Sequence, residues 1–377
     1  MPKFGNVDLI IGGQYGSEGK GKLAGYVSRR VPYSVAVCNF TSQAGHTFVY
    51  DEGRKVITQQ LPTAIVSSCE NIMIGPGAII DEDVLEREIN EYGLTEARLT
   101  IDSNAIVIDQ RHKDAERANA IRVASTMKGN GAAAAEKCLR FQGLRTAGDD
   151  SFRFKQYVGD VRSALHNTHV MGGDILLEGS QGFDLDVNLG FYPFVTSRGT
   201  TSAAELSRCG LSPQSVRNVF GAYRTFPIRV GNLKDENGVE VGNSGPVYDD
   251  QTEMTWDELS SQYGGADKLL ERTTVTGRVR RVFTFSRTQF ARSIVSNGVN
   301  CIFINYANYI DGALYGASGD SDDSPSRNAK LLDWLQQNIV PVLSKVHDIG
   351  ERVIIPLLIG TGPADSDMLS INMIVGS

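Results

Sequence analysis

Gly12-Gly13-Gln14-Tyr15-Gly16-Ser17-Glu18-Gly19-Lys20-Gly21-Lys22 follows directly on the apolar run 7–11, and the spaced apolar residues of 22–30 predict a short helix after it. Strand, glycine-rich turn and helix in that order form a cradle for phosphate. Glycines accept positive φ and let successive backbone N–H groups turn toward one oxyanion. The helix N-terminus adds partial positive charge, and Lys20 and Lys22 add full charges. Gly16 to Lys22 also satisfies G-x-x-x-x-G-K, but Leu23 stands where a Walker A loop carries the Ser or Thr that meets magnesium. An ordinary P-loop is therefore not expected. A glycine-rich connector with two solvated lysines is the plain alternative, and the coincidence of strand, glycines and lysines argues for the cradle.

Further short β-rich runs lie at 35–40, 72–74, 106–108, 175–178, 219–223, 301–305 and 353–359, several of them apolar throughout, as strands buried on both faces read. Helical patterns at 81–92, 110–125, 285–296 and 329–346 alternate with them. The alternation predicts an α/β fold: one large domain spanning 1–377, with a central, mostly parallel sheet flanked by helices. Residues 231–270, acidic and weakly periodic, and 316–323 read as surface excursions, the latter as a mobile loop.

The chain has 377 residues, 41% of them hydrophobic and 21% charged, the proportions of an ordinary globular protein. A net charge of -7 argues against a sequence-independent hold on polymeric nucleic acid. Single nucleotides need only a local positive pocket. Cys38, Cys69, Cys138, Cys209 and Cys301 are scattered without C-x-x-C spacing, which suggests reduced thiols. No stretch reaches the apolar length of a membrane span, and Met1-Pro2-Lys3-Phe4-Gly5 lacks a signal-peptide core. The expected location is the cytoplasm, that of a host cell if the chain is phage-encoded.

Other small-residue turns follow predicted strands. Thr41-Ser42-Gln43-Ala44-Gly45-His46-Thr47 would present His46 from a loop at the carboxyl end of a strand, where ligands collect in open α/β sheets. Histidine trades protons near neutral pH. Glu178-Gly179-Ser180-Gln181-Gly182 presents an amide suited to a purine edge, and 196–202 is rich in hydroxyls that suit a phosphate monoester. In Thr273-Thr274-Val275-Thr276-Gly277-Arg278-Val279-Arg280-Arg281, an extended backbone would put Arg278 and Arg280 on one side as a fork for carboxylates; a solvated basic edge is the rival reading. Ile359-Gly360-Thr361-Gly362-Pro363 ends a predicted buried strand in a tight turn that either floors a base pocket or is only a turn.

In order, these segments resemble adenylosuccinate synthetase over nearly the whole chain, from Gly12 to Pro363. The opening run is similar to G-x-Q-W-G-D-E-G-K-G-K, and Gln43 to Thr47 to N-A-G-H-T. Glu178 to Gly182 resembles E-G-A-Q-G, Tyr192 to Ser197 resembles Y-P-Y-V-T-S, Thr276 to Arg280 resembles T-G-R-R-R, and Thr361 to Pro363 matches T-G-P. The resemblance implies a P-loop NTPase-related fold and a ligase that phosphorylates O6 of a 6-oxopurine nucleotide before the amine of L-aspartate displaces phosphate at C6. Such transfer between anions calls for an amide cradle, a lysine and Mg²⁺. It further implies Ser17, Lys20 and His46 as catalytic residues, His46 as the acid at O6, and Ser17 and the Gly45 carbonyl at the metal. Gly16, Glu18, Gly19, Lys20, Gly21, Gly45, Thr47, Asn305, Asn308, Gly360, Gly362 and Pro363 would hold the donor nucleotide. Ser17, Gln43, Ser125, Thr126, Arg140, Gln181, Thr196 and Arg280 would hold the purine monophosphate, with Arg140 reaching across a homodimer. Val275, Thr276 and Arg278, together with Arg280, would meet aspartate.

Departures from the pattern carry the specificity. The family's base, an aspartate, is replaced by Ser17, a poor base whose small hydroxyl leaves room for a purine 2-amino group and accepts its hydrogen bond. Gln43 replaces an asparagine in the same neighbourhood. Both imply guanylate rather than IMP and resemble the phage aminodeoxyadenylosuccinate synthetases of diaminopurine genomes, whose substrate is dGMP. Asn308 stands where the family's T-K-L-D segment carries the aspartate that recognises GTP, and its amide fits an adenine edge, so ATP or dATP is the expected donor. An ordinary adenylosuccinate synthetase acting on IMP and a catalytically dead nucleotide sensor are the alternatives.

Overall fold

In the computed structural model, which describes residues 4–119, 123–263, 269–273, 277–320, 328–346 and 353–375, the apolar run becomes the strand Val7–Gly12, buried at every residue. It lies inside an eleven-stranded sheet. From one edge the strands run Gly319–Asp320, Met368–Val375, Val353–Gly360, Cys301–Asn305, Val216–Arg224, Val7–Gly12, Ile175–Glu178, Val35–Cys38, Asn71–Ile74, Leu99–Asp102 and Val158–Gly159. Among the described residues the neighbours pair in parallel, except Val353–Gly360 with Met368–Val375. Side chains alternate across the sheet and feed two cores. Val7, Leu9, Ile11 and Leu177 enter one apolar cluster, whereas Ile10 and Leu176 enter the other. Burial on both faces is why these strands read as continuous apolar runs.

Helix boundaries follow local chemistry. Asp81 accepts from the Asp83 amide and caps Glu82–Tyr92, and Gly93, at φ 61, ends it. Ser286 likewise caps Arg287–Asn297. Helix Lys20–Arg30 differs: it begins after Gly19, at φ 94, with no side-chain cap, leaving its first amides for another acceptor.

Some elements depart from the sequence pattern. Run 106–108 forms Ile106–Val107, which pairs with Ile79–Ile80 outside the central sheet. Among the described residues, pattern 110–125 gives the α-helix Gln110–Asn119, and a second, Asn130–Cys138, follows the segment that carries Ser125 and Thr126. Pattern 329–346 splits into Ala329–Asn338 and Val340–Val346, because Pro341 has no N–H to continue the first helix but is tolerated in the first turn of a new one. Within 231–270 lie the hairpin strands Leu233–Lys234 and Glu240–Gly242, and a helix, Trp256–Tyr263, that buries Trp256 and Leu259. Among the described residues, no helix is long and apolar enough to cross a membrane.

Candidate active site

Loops at the carboxyl ends of the central parallel strands enclose a cavity of about 1000 Å³. Gly16, Ser17, Gly19, Lys20 and Gly21 line it from the first loop, and Gln43, Gly45, His46 and Thr47 from the next. Ser125, Thr126, Gln181, Thr196, Arg278, Arg280, Asn305, Asn308, Gly362 and Pro363 complete the residues that the sequence brings to one place. Glu18, Gly360 and Arg140 are not on the wall, and Val275 and Thr276 lie outside the described residues.

The first loop is set by positive φ at Gly16 (95), Ser17 (61) and Gly19 (94). A left-handed conformation is costly for serine and concentrates at functional turns. It leaves Ser17 exposed toward the cavity. Glu18 turns the other way and is fully buried: Oε1 accepts from the amides of Gln14 (3.1 Å) and Gly16 (2.7 Å), and Oε2 pairs with Lys20 Nζ (2.9 Å). The carboxylate thereby shapes the loop and holds Lys20.

Lys22 corrects the expectation that both lysines charge the cradle. Its Nζ donates to the carbonyls of Gly362 (2.6 Å) and Asp367 (2.7 Å), and burial lowers it to about 8. The lysine thereby ties the first helix to the Thr361-Gly362-Pro363 turn. Asn305 is spent similarly, donating to the Glu18 carbonyl (3.2 Å) while its Oδ1 accepts from the Tyr306 amide (3.0 Å). Gly360 makes room for that side chain, since a Cβ there would sit 2.2 Å from Asn305 Oδ1.

His46 is not presented from a loop but opens the strand His46–Val49. Its ring is buried, stacked on Phe40 with centroids 4.0 Å apart, and Nδ1 lies 3.0 Å from Glu178 Oε1. Glu178 also accepts from the Thr63 amide (2.6 Å) and hydroxyl (2.9 Å), so donors surround the carboxylate and Nδ1 is the ring nitrogen that carries hydrogen toward it. Nε2 is the ring nitrogen not engaged by Glu178, and His46 lines the cavity. Sequence reading missed this partner, although Glu178 stands first in Glu178-Gly179-Ser180-Gln181-Gly182.

Gln181, at φ 65, lines the cavity with a buried Nε2 that has no partner among the described residues. An orphaned amide donor in a cavity of this size calls for a ligand acceptor. Gln43 Nε2 donates to Thr196 Oγ1 (3.2 Å), and Ser125 Oγ accepts from the Met127 amide (3.1 Å) between left-handed Ala124 and Met127. The backbone pairing of Arg272 with Val279 forms a hairpin whose Arg278 and Arg280 both line the cavity. Arg278 donates to the carbonyls of Gly231 (3.1 Å) and Ala124 (3.3 Å). Burial lowers the basicity of Arg280, and the nearby Arg224 charge adds to this, while Glu271, which pairs with Arg224, partly offsets it. The side chain of Asn308 makes no hydrogen bond among the described residues.

Among the described residues, no group of three His, Cys, Asp or Glu side chains could hold a metal. The acids on the wall, Glu116 and Glu271, are held by the amides of Gly129 and Gly131 and by Arg224. Exposed neutral oxygens remain at Ser17 and Gly45. They fit Mg²⁺, which keeps waters and takes much of its coordination from substrate phosphates.

The adenylosuccinate synthetase family model matches residues 9–149 and 147–314. The chain belongs to the adenylosuccinate synthetase family. It is a C–N bond-forming ligase, as that family and its relatives are. N6-succino-2-amino-2'-deoxyadenylate synthase of Acinetobacter phage SH-Ab 15497 is 35% identical over 330 residues, covering 80% of this chain and 84% of that protein. Adenylosuccinate synthetase of Thermococcus onnurineus is 32% identical over 372 residues, covering 96% of each. Among solved structures, the cyanophage S-2L succinoaminodeoxyadenylate synthetase, bound to dGMP and to dATP as an energy donor, superimposes with a TM-score of 0.79 at 32% identity. That superposition covers 97% of this chain and 95% of the phage protein. Within the family, the chain therefore stands with phage-type synthases as well as with cellular ones.

Proposed function

We propose that the chain joins L-aspartate to C6 of dGMP with hydrolysis of ATP or dATP, giving N6-succinyl-2-amino-2'-deoxyadenylate, ADP or dADP, and phosphate. The observation that carries this reading is Ser17: a neutral hydroxyl faces the cavity at φ 61, and the neighbouring carboxylate, Glu18, is turned away and consumed. A purine 2-amino group meets an acceptor there instead of a bulkier acid, and the orphaned Gln181 amide supplies a donor for the base edge. The phage relative's bound dGMP and dATP support the same substrate pair.

Lys20 and the uncapped amides of helix Lys20–Arg30 bind donor phosphates. Ser17 and the Gly45 carbonyl would hold Mg²⁺, which neutralises charge between the phosphates when bound. His46 donates from Nε2 toward O6, while Glu178 fixes the ring and offsets the positive charge it carries. Arg278 and Arg280 receive the carboxylates of aspartate, and Gln43, Ser125, Thr126 and Thr196 the monophosphate. Arg140, exposed between exposed Leu139 and Phe141 and off the cavity wall, serves the site of a second copy in a homodimer.

The His46–Glu178 pair favours catalysis over a sensor, which needs no proton donor at O6. Phosphate release with Mg²⁺ and aspartate, offering dGMP or IMP against ATP, dATP and GTP, tests the assignment. Faster turnover of IMP than of dGMP contradicts it.

A further inference from the structure

Arg224, at the carboxyl end of the strand Val216–Arg224, is fully buried and belongs to none of the ligand-binding roles above. Its guanidinium touches three walls of the cavity. Nη1 donates to the Ser17 carbonyl at 3.0 Å, Cζ lies 3.6 Å from the Tyr306 ring centroid, and Nη2 pairs with Glu271 Oε1. The same Glu271 oxygen accepts from Tyr309 Oη at 2.8 Å, and the Glu271 carbonyl accepts from the Arg280 amide at 2.9 Å. Asn308 lies between the two tyrosines in sequence. Glu271 enters the hairpin in which the Thr273 amide donates to the Arg278 carbonyl at 2.8 Å. One ion pair, buried on its arginine side, thus links the phosphate loop, the donor-base segment and the arginine hairpin.

We infer that Arg224 and Glu271 are positioning residues that couple the donor-nucleotide subsite to the aspartate subsite. The inference rests on the reading above that the donor base sits at Asn308 and aspartate at Arg278 and Arg280. A base held at Asn308 restrains the turn from Tyr306 to Tyr309. Through the phenol of Tyr309 this restrains Glu271, and through Glu271 the hairpin whose arginines must be in place for a dicarboxylate. Aspartate then binds a hairpin whose ordering cost is already met, and the coupling is reciprocal. A half-buried carboxylate shared between a guanidinium and a phenol suits this role: Arg224 cannot move away without leaving its own buried charge unpaired, and Tyr309 cannot move without giving up its hydrogen bond to the same oxygen.

The test is the affinity of the non-hydrolysable analogue β,γ-methylene-ATP, measured calorimetrically with Mg²⁺ and dGMP present, with and without L-aspartate. In the unaltered chain aspartate tightens the analogue by about fivefold or more, the lower end of ordinary coupling. Tyr309→Phe, which keeps the Arg224–Glu271 pair, lowers that factor to below about twofold, and Glu271→Gln does the same. A purely structural role would weaken both ligands and leave the factor unchanged. That result, or independent binding in the unaltered chain, overturns the inference. Failure of the unaltered chain to bind the analogue or aspartate at all overturns the subsite assignment instead.

Discussion

His46 Nδ1 lies 3.0 Å from Glu178 Oε1, and both residues are buried on adjoining segments at the carboxyl end of the sheet. Glu178 closes the strand Ile175–Glu178, and the Thr63 amide and hydroxyl hold its carboxylate from the other side. Phe40 fixes the ring plane by stacking. The imidazole is thus held in one orientation, and Nε2 is the nitrogen that the proposed proton donation uses.

Replacing Glu178 by Gln keeps the shape but removes the charge that faces Nδ1. The expected outcome is a loss in kcat of about 10²-fold, within the usual range for disrupting general acid–base catalysis, with little change in KM for dGMP. Steady-state kinetics check it. His46→Ala should lose at least as much, and the double variant little more, because the two act as a unit.

Asn308 bears on the donor. Asn308→Asp offers guanine N1 and N2 a paired acceptor and removes the amide donor from an adenine edge. The ratio of kcat/KM for GTP over ATP should rise by about 5- to 150-fold, the span of about 1–3 kcal/mol for a paired buried hydrogen bond. Competition between the two triphosphates gives that ratio.

Asp184 bears on stability. It is fully buried, accepting from Tyr248 Oη and Gln289 Nε2 (both 2.5 Å), and burial raises it from 3.8 to about 6. A carboxyl raised on folding contributes stability that is fully present below 3.8 and is lost as pH rises through about 6. The loss amounts to about 3 kcal/mol. Asp184→Asn removes it: the new amide still accepts from Tyr248 and can donate to Gln289 Oε1, which has no partner among the described residues. Thermal midpoints should favour the variant increasingly from pH 4 to pH 8. A gap that does not change with pH contradicts this account of Asp184.

The residue pattern finds the phosphate loop and the strands that carry it, and the family resemblance adds many of the residues on the cavity wall. Gly16, Ser17 and Gly19 lie in consecutive turn chemistry, and the apolar strands announce burial on both faces. Contacts across the fold were not visible. Glu178 meets His46 across 132 residues, and Arg224 meets Glu271 across 47. Nothing local in the sequence marks either pair. Lys22 shows the limit most plainly: its charge is read from the sequence, but only folding brings the Gly362 carbonyl, 340 residues away, to its ammonium. The side chains of Glu18 and Asn305, which the family pattern assigns to the donor nucleotide, likewise make contacts within the fold that their neighbours in sequence do not announce.

The central claim is that Ser17 selects a guanylate. Its most direct measurement is the ratio of kcat/KM for dGMP to that for IMP, in the unaltered chain and in Ser17→Asp, with ATP as donor. The account predicts that the unaltered chain favours dGMP and that the substitution lowers the ratio by about tenfold or more, as a carboxylate takes the room and the hydrogen-bonding place of the 2-amino group. A ratio unchanged by Ser17→Asp would contradict it.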